Sequence, residues 1–160
     1  MTAELIAMVD AREIGRLTRR PGGALVFEYD DAWRQLPEAH PISLSMPLAA
    51  RLHGNSAVEP FIWGLLPDSD RVLTRWASRF HVSSRNAFAL LTHVGEECAG
   101  AVQFVRPERS VSIGDRSLDS VQWLTESDVE ERLRALRADH GAWRMRGDAG
   151  QFSLAGAQPK

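Results

Sequence analysis

The stretch Val58-Glu59-Pro60-Phe61-Ile62-Trp63-Gly64-Leu65-Leu66-Pro67-Asp68 decides the fold class. Val58, Phe61, Ile62, Leu65 and Leu66 fall at i, i+3, i+4, i+7 and i+8, the one-sided apolar stripe of an amphipathic helix. Pro67 cannot continue that helix, and Asp68 or Ser69 is placed to cap a second one. In the second helix Val72, Trp76 and Phe80 recur every fourth residue and are expected to face the core together. Ser83 or Ser84 opens a third, short helix bearing Phe88, Leu91 and Val94, which Gly95 closes. A helical cluster therefore fills the middle of the chain.

The pattern changes on both sides of that cluster. Upstream, Leu5, Ala7 and Val9 alternate with Ile6 and Met8, the period of a strand covered on both faces. Asp10-Ala11-Arg12 supplies a short turn, Ile14 and Leu17 a second strand, and the pair reads as a hairpin. Pro21-Gly22-Gly23 breaks the chain before a third strand with Leu25, Phe27 and Tyr29 on one face. Asp30-Asp31 caps a helical turn carrying Trp33 and Leu36. Ile42-Ser43-Leu44-Ser45-Met46 alternates cleanly up to Pro47 and is expected to be a half-buried strand. Downstream, Ala99 to Val105 reads as a strand, and Arg106 to Asp119 as a polar linker or surface hairpin. Thr125 and Asp128 form a near-capping-box before Val129, Leu133 and Leu136, in a helix that should end close to Gly141. Strands, then helices, then a strand make the fold α+β.

Composition narrows the function classes. The chain has 160 residues, 44% of them apolar and 25% charged, enough for one good core and too apolar for disorder. The net charge of −2 gives no global field for phosphates, so direct nucleic-acid binding is not expected. No apolar run approaches the roughly 20 residues needed to span a bilayer, and the N-terminus lacks a secretory pattern, so the expectation is a cytoplasmic protein without membrane attachment. Cys98 is the single cysteine, which rules out an internal disulfide and a cysteine-based metal site. His40, His53, His81, His93 and His140 are scattered without ligand spacing, so no metal site is expected. No G-x-S-x-G elbow or Walker A sequence is present. Arg71, Arg75 and Arg79 read as a solvated helix face. Trp63 lies off the main apolar stripe and is the best candidate for an interface aromatic.

The last segment, Phe152-Ser153-Leu154-Ala155-Gly156-Ala157-Gln158-Pro159-Lys160, has chemical promise. Small residues let a backbone approach a ligand, and successive N–H groups can form an anion-binding concavity. Lys160 is the only lysine among 19 basic residues and would add a point charge. Taken alone, these features read first as a plain turn, since small-residue loops are common.

Four segments together carry a resemblance: Ile42 to Leu48, Phe61 to Asp68, Ala87 to Gly95, and Phe152 to Lys160. Their order and spacing resemble the N-terminal region of the HipA-type serine/threonine kinases, toxins of bacterial toxin–antitoxin pairs. The resemblance implies an ATP- and Mg²⁺-dependent protein kinase involved in persistence, with a helix-turn-helix, HipB-like antitoxin as partner. It implies a protein substrate such as an aminoacyl-tRNA synthetase, glutamyl-tRNA synthetase in the best-studied type. Ala155, Gly156, Ala157, Gln158 and Lys160 match the loop that holds the ATP phosphates, and Ser153 matches the autophosphorylated serine that inactivates the kinase. A catalytic Asp and an Mg²⁺-binding Asp would have to follow Lys160. The expectation is therefore an α+β N-terminal subdomain at 1–108 and the start of a kinase N-lobe at 109–160. Alone, this fragment should bear no catalytic residue, hold no cofactor and transfer no phosphate. The alternative is a free-standing interaction module that binds an antitoxin or a separate kinase chain.

Overall fold

Asp10 and Ala11 both adopt positive φ, 47° and 63°, in the computed structural model, which describes residues 3–97, 101–113 and 123–138. Two successive positive φ angles are what a tight two-residue hairpin requires to match the right-handed strand twist. They join β1 (Ala3–Val9) to β2 (Arg12–Arg19), with Val9 facing Arg12 across the turn. Alanine has no side chain that eases this conformation, which costs a non-glycine residue about 1–2 kcal/mol. Ala11→Gly is expected to raise the unfolding free energy by about 0.5–1 kcal/mol after the glycine's larger unfolded-state entropy is subtracted. A denaturant titration of the variant checks this; an unchanged or lower midpoint would show that the turn is not strained.

Pairing continues through β3 (Leu25–Tyr29), β4 (Leu52–His53) and β5 (Gln103–Val105). The five strands form one sheet in the order β4-β3-β2-β1-β5, antiparallel at every junction. Between β1 and β2 the register passes from Ala7–Gly15 to Met8–Glu13, so Ile14 is the extra residue of a bulge. Gly15 lies in the crowded middle of the sheet. A Cβ there would sit 2.8 Å from Phe27 Cζ and closer still to the Glu28 carbonyl oxygen.

The covering layer consists of α1 (Asp31–Arg34), α2 (Asn55–Gly64), α3 (Asp70–Phe80) and α4 (Ala87–Val94). Leu5, Ala7, Val9, Ile14, Leu17, Phe27 and Tyr29 from the sheet share one core with Val58, Ile62, Leu66, Leu73, Trp76, Phe88, Leu90 and Leu91. Ile6, Met8 and Val105 are buried as a separate small cluster, on the alternate side chains of the same strands. Both faces of β1 are thus covered, as its unbroken apolar run implies. The α+β reading is confirmed.

Several local expectations need correction. Ile42 to Met46 is a turn-rich loop and not a strand, because its backbone bonds to the Tyr29 hydroxyl and within its own turn, Met46 N–H to Ser43 O at 3.0 Å, and not to a neighbouring strand. Helix α2 ends at Gly64, so Leu65 and Leu66 follow it in a tight turn bonded to Ile62 O and Trp63 O. Leu66 is buried there while Leu65 and Phe61 are half-buried. The buried face of α3 is Leu73, Trp76 and Ala77; Val72 and Phe80 flank it and are only partly covered. Helix α4 is capped by Asn86, whose Oδ1 accepts the Ala89 N–H at 3.1 Å, and not by Ser83 or Ser84. Ser83 Oγ instead accepts the Arg85 N–H.

The stretch expected as a linker begins with a helix, α5 (Pro107–Ile113), which packs against β1. Pro107 at its first position needs no N–H partner, and Glu108 suits the positive helix end. A last helix, α6 (Glu126–Ala138), starts as its sequence implies: the Thr125 N–H donates to Asp128 Oδ2 at 2.8 Å and the Asp128 N–H returns to Thr125 Oγ1 at 3.3 Å. The Thr125 hydroxyl also donates to Asp128 Oδ2 at 2.6 Å, and this bond first, then the Thr125 N–H, holds the Asp128 carboxyl below its ordinary range. Cys98 and Ala99 lie outside the described residues.

Candidate functional site

Tyr29, at the end of β3, organises the loop that follows α1. Its hydroxyl donates to Met46 O at 2.7 Å and accepts the Ile42 N–H at 2.9 Å. One buried oxygen thus closes the span from Ile42 to Met46. Burial pushes the Tyr29 phenol up, with the Ile42 N–H opposing that shift. Two neighbours fasten the flanks: Trp33 Nε1 donates to His40 O at 3.3 Å, and Arg34 Nε to Leu48 O at 3.0 Å. Met46 is driven into the core while Leu44 stands 96% exposed between Ser43 and Ser45, whose hydroxyls meet at 2.8 Å. The alternation in this stretch therefore records one buried anchor and one projecting side chain.

Tyr29→Phe removes both bonds and leaves the Ile42 N–H and Met46 carbonyl without their partner. The expected loss is about 1–3 kcal/mol. Faster hydrogen exchange at Ile42, with β1 and β2 amides unchanged, would place the loss in this loop. Unaltered exchange at Ile42 would refute the anchoring role.

The second resembling segment lies at the junction of α2 and α3. Trp63 packs partly on the core and also lines a cleft of about 530 Å³ with Pro67, Asp68, Asp70, Leu73, Thr74, Ser84 and Arg85. The third segment forms α4 and the tight turn after it. Gly95 backs onto β5 so closely that a Cβ would lie 2.9 Å from Phe104 Cβ. His93 on α4 stacks flat on Phe80 of α3 at 4.5 Å between ring centres. Burial, then the Arg106 charge, pushes the His93 pKa down.

Three of the four resembling segments thus fold together into one α+β unit. The fourth does not come into view. Ser153, Ala155, Gly156, Ala157, Gln158 and Lys160 all lie outside the described residues, as does everything from position 139 onward. Arg71, Arg75 and Arg79 are exposed, as expected of an outer helix face. Among the described residues no three His, Cys, Asp or Glu side chains are arranged to hold a metal ion, and no helix is long and apolar enough to cross a membrane. The roles of Tyr29 and of the polar groups in the Trp63 cleft were not read from the sequence. Neither carries a spacing signal, since each depends on segments that meet only in three dimensions.

A family model described as HipA N-terminal domain matches residues 5–105. The chain belongs to the HipA N-terminal domain family. This HipA N-terminal domain is 36% identical over 153 residues to the Sinorhizobium fredii protein named "Putative kinase Y4mE", covering 94% of this chain and 36% of that protein. Its fold matches a chain from the Shewanella oneidensis MR-1 complex of HipA, HipB and operator DNA, with a TM-score of 0.64 and 26% identity. That match covers 97% of this chain and 34% of the other. The chain spans about a third of the length of these relatives. The segments Ile42–Leu48, Phe61–Asp68 and Ala87–Gly95 all fall inside the matched region, which establishes the resemblance they carry.

Proposed function

We propose that this HipA N-terminal domain serves as the front part of a HipA-like serine/threonine protein kinase toxin. The observation that carries the reading is the 153-residue similarity to the Sinorhizobium protein, which extends well past the 101 residues of the family match, 5–105. The 1–108 unit is the regulatory scaffold, and 109–160 opens the kinase N-lobe. Within that opening, the N–H groups of Ala155, Gly156, Ala157 and Gln158 hold the ATP phosphates, and Lys160 adds charge. Pro159 shapes the loop without donating. In this reading Mg²⁺ and the catalytic Asp groups belong to a further lobe, in keeping with relatives about three times as long as this chain. A phosphate on Ser153 would place about −1.5 to −2 charges beside the phosphate loop and compete for its donors. The partner in this reading is a HipB-like helix-turn-helix antitoxin, in keeping with the Shewanella complex of HipA with HipB. The target is a protein substrate such as an aminoacyl-tRNA synthetase.

The test uses the protein encoded by the whole reading frame beside the 160-residue chain. Labelled ATP should transfer phosphate only with the longer protein, and its ATP affinity should fall when Ser153 is phosphorylated but not in Ser153→Ala. Turnover by the 160-residue chain alone would overturn its expected silence. Equal ATP affinity for phosphorylated and unmodified protein would overturn the gating by Ser153.

A further inference from the structure

Helix α6 differs from the helices that build the core. Helices α1 to α4 each bury at least one side chain, whereas no residue of α6 is buried. Its sequence nevertheless builds an apolar stripe: at 3.6 residues per turn, Val129, Leu133 and Leu136 lie within about 60° of one another. Glu130, Glu131, Arg134 and Arg137 take the rest of the circumference. Val129 is 43% and Leu133 57% exposed, and Trp123, just ahead of the helix, is 89% exposed. Three of the five large apolar side chains that stand exposed among the described residues thus gather between positions 123 and 133.

A helix of 13 residues is marginal in water by itself and takes its stability from packing an apolar face. The bonds between Thr125 and Asp128 and the Glu130–Arg134 ion pair fix where α6 begins and how it faces solvent, but they cover none of its stripe. Two facts choose the cover. A strip of three side chains is far too small for an interface with a separate molecule, which needs about 1,000 Å² or more. A cover supplied by the same chain loses no translational freedom on docking and needs no such area. The relatives, moreover, align along nearly all of this chain and continue to about three times its length. We propose that Val129, Leu133 and Leu136 of α6, with Trp123 at its leading end, form the surface on which the further lobe of the longer protein docks. The covering element presents an apolar strip of its own, since a charge set against Leu133 would lose its water without gaining a partner. The inference rests on the reading of this chain as the front part of a longer protein, and it names the surface that joins that part to the rest.

The test introduces Leu133→Cys and, as a control on the polar side of the helix, Arg134→Cys, each in a Cys98→Ser background. Both variants are made in the 160-residue chain and in the protein encoded by the whole reading frame. Maleimide labelling is followed by the mass of the peptide that contains the position, so other cysteines do not interfere. Position 133 should react quickly in the 160-residue chain and at least about tenfold more slowly in the longer protein, where reaction waits on local opening. Position 134 should react at one rate in both. Equal rates at position 133 in the two proteins would overturn the proposal, and so would equal protection of positions 133 and 134. Slow labelling of position 133 in the 160-residue chain would also overturn it. Protection lost there on dilution would assign the stripe to a second copy, and protection kept on dilution would assign it to this chain's own residues. Transfer from labelled ATP, measured on the same longer protein, keeps the two readings apart. Protection at position 133 without transfer sinks the kinase reading alone; transfer without protection sinks the docking surface alone.

Discussion

Replacing Ile62 with alanine is expected to lower the unfolding free energy by about 2–5 kcal/mol. Ile62 is fully buried in the last turn of α2, in the same cluster as Phe27, Tyr29 and Leu91. Truncation there removes apolar contacts from both the sheet and the helical layer, and the surrounding backbone has little room to collapse into the space. Leu65 provides the contrast. It belongs to the same apolar stripe in sequence, yet it lies beyond the end of α2 and is only half-buried. Leu65→Ala should therefore cost clearly less. Urea denaturation of the two variants under identical conditions checks both statements. Equal losses would mean that the buried face of α2 is wrongly placed.

The second large effect is expected at Gly15, where an added methyl group meets atoms that cannot turn aside. Its nearest obstacle is the Glu28 carbonyl oxygen, a backbone atom in the adjoining strand, with Phe27 Cζ next at 2.8 Å. Gly15→Ala must push β2 and β3 apart or displace the Phe27 ring from the core. Overpacking of this kind costs about 1–3 kcal/mol, occasionally more, and the backbone obstacle puts Gly15 toward the upper end. Gly54, at the start of α2, has nothing within 4 Å of the corresponding position and an ordinary negative φ of −89°. Gly54→Ala should shift the midpoint little. If both alanines proved equally mild, the close approach of β2 and β3 at Gly15 would be refuted.

Much of the fold was legible because it rests on short-range rules. The hairpin of β1 and β2, the third strand, and the helices containing Ile62, Trp76 and Leu91 all follow from periodicity and turn chemistry within a dozen residues. The helix opened by Thr125 and Asp128 follows in the same way. Helix boundaries were less legible. Asn86 caps α4 because its side chain reaches the Ala89 N–H, but Ser83 and Ser84 are equally good caps by composition. The face of α3 was read about one residue out of phase, since an i, i+4 series of large side chains does not say which neighbours reach the core first.

The loop from Ile42 to Met46 marks the limit of such reading. By itself its sequence alternates as a strand does, and local pattern contains nothing to oppose that. What prevents a strand is Tyr29, which takes up the Ile42 N–H and the Met46 carbonyl with one hydroxyl and draws the segment into a loop. The sequence by itself determined the α+β class, the opening hairpin and third strand, the central helical cluster and the family, because each depends on residue types at fixed spacings along the chain. Only the tertiary structure decided which edge residues are buried, that Pro107 to Ile113 is helical against β1, and that Asp68, Asp70 and Arg85 line one cleft beside Trp63. Those features depend on packing between segments that are separate in sequence, and the energy of such contacts exceeds local preference wherever the two conflict.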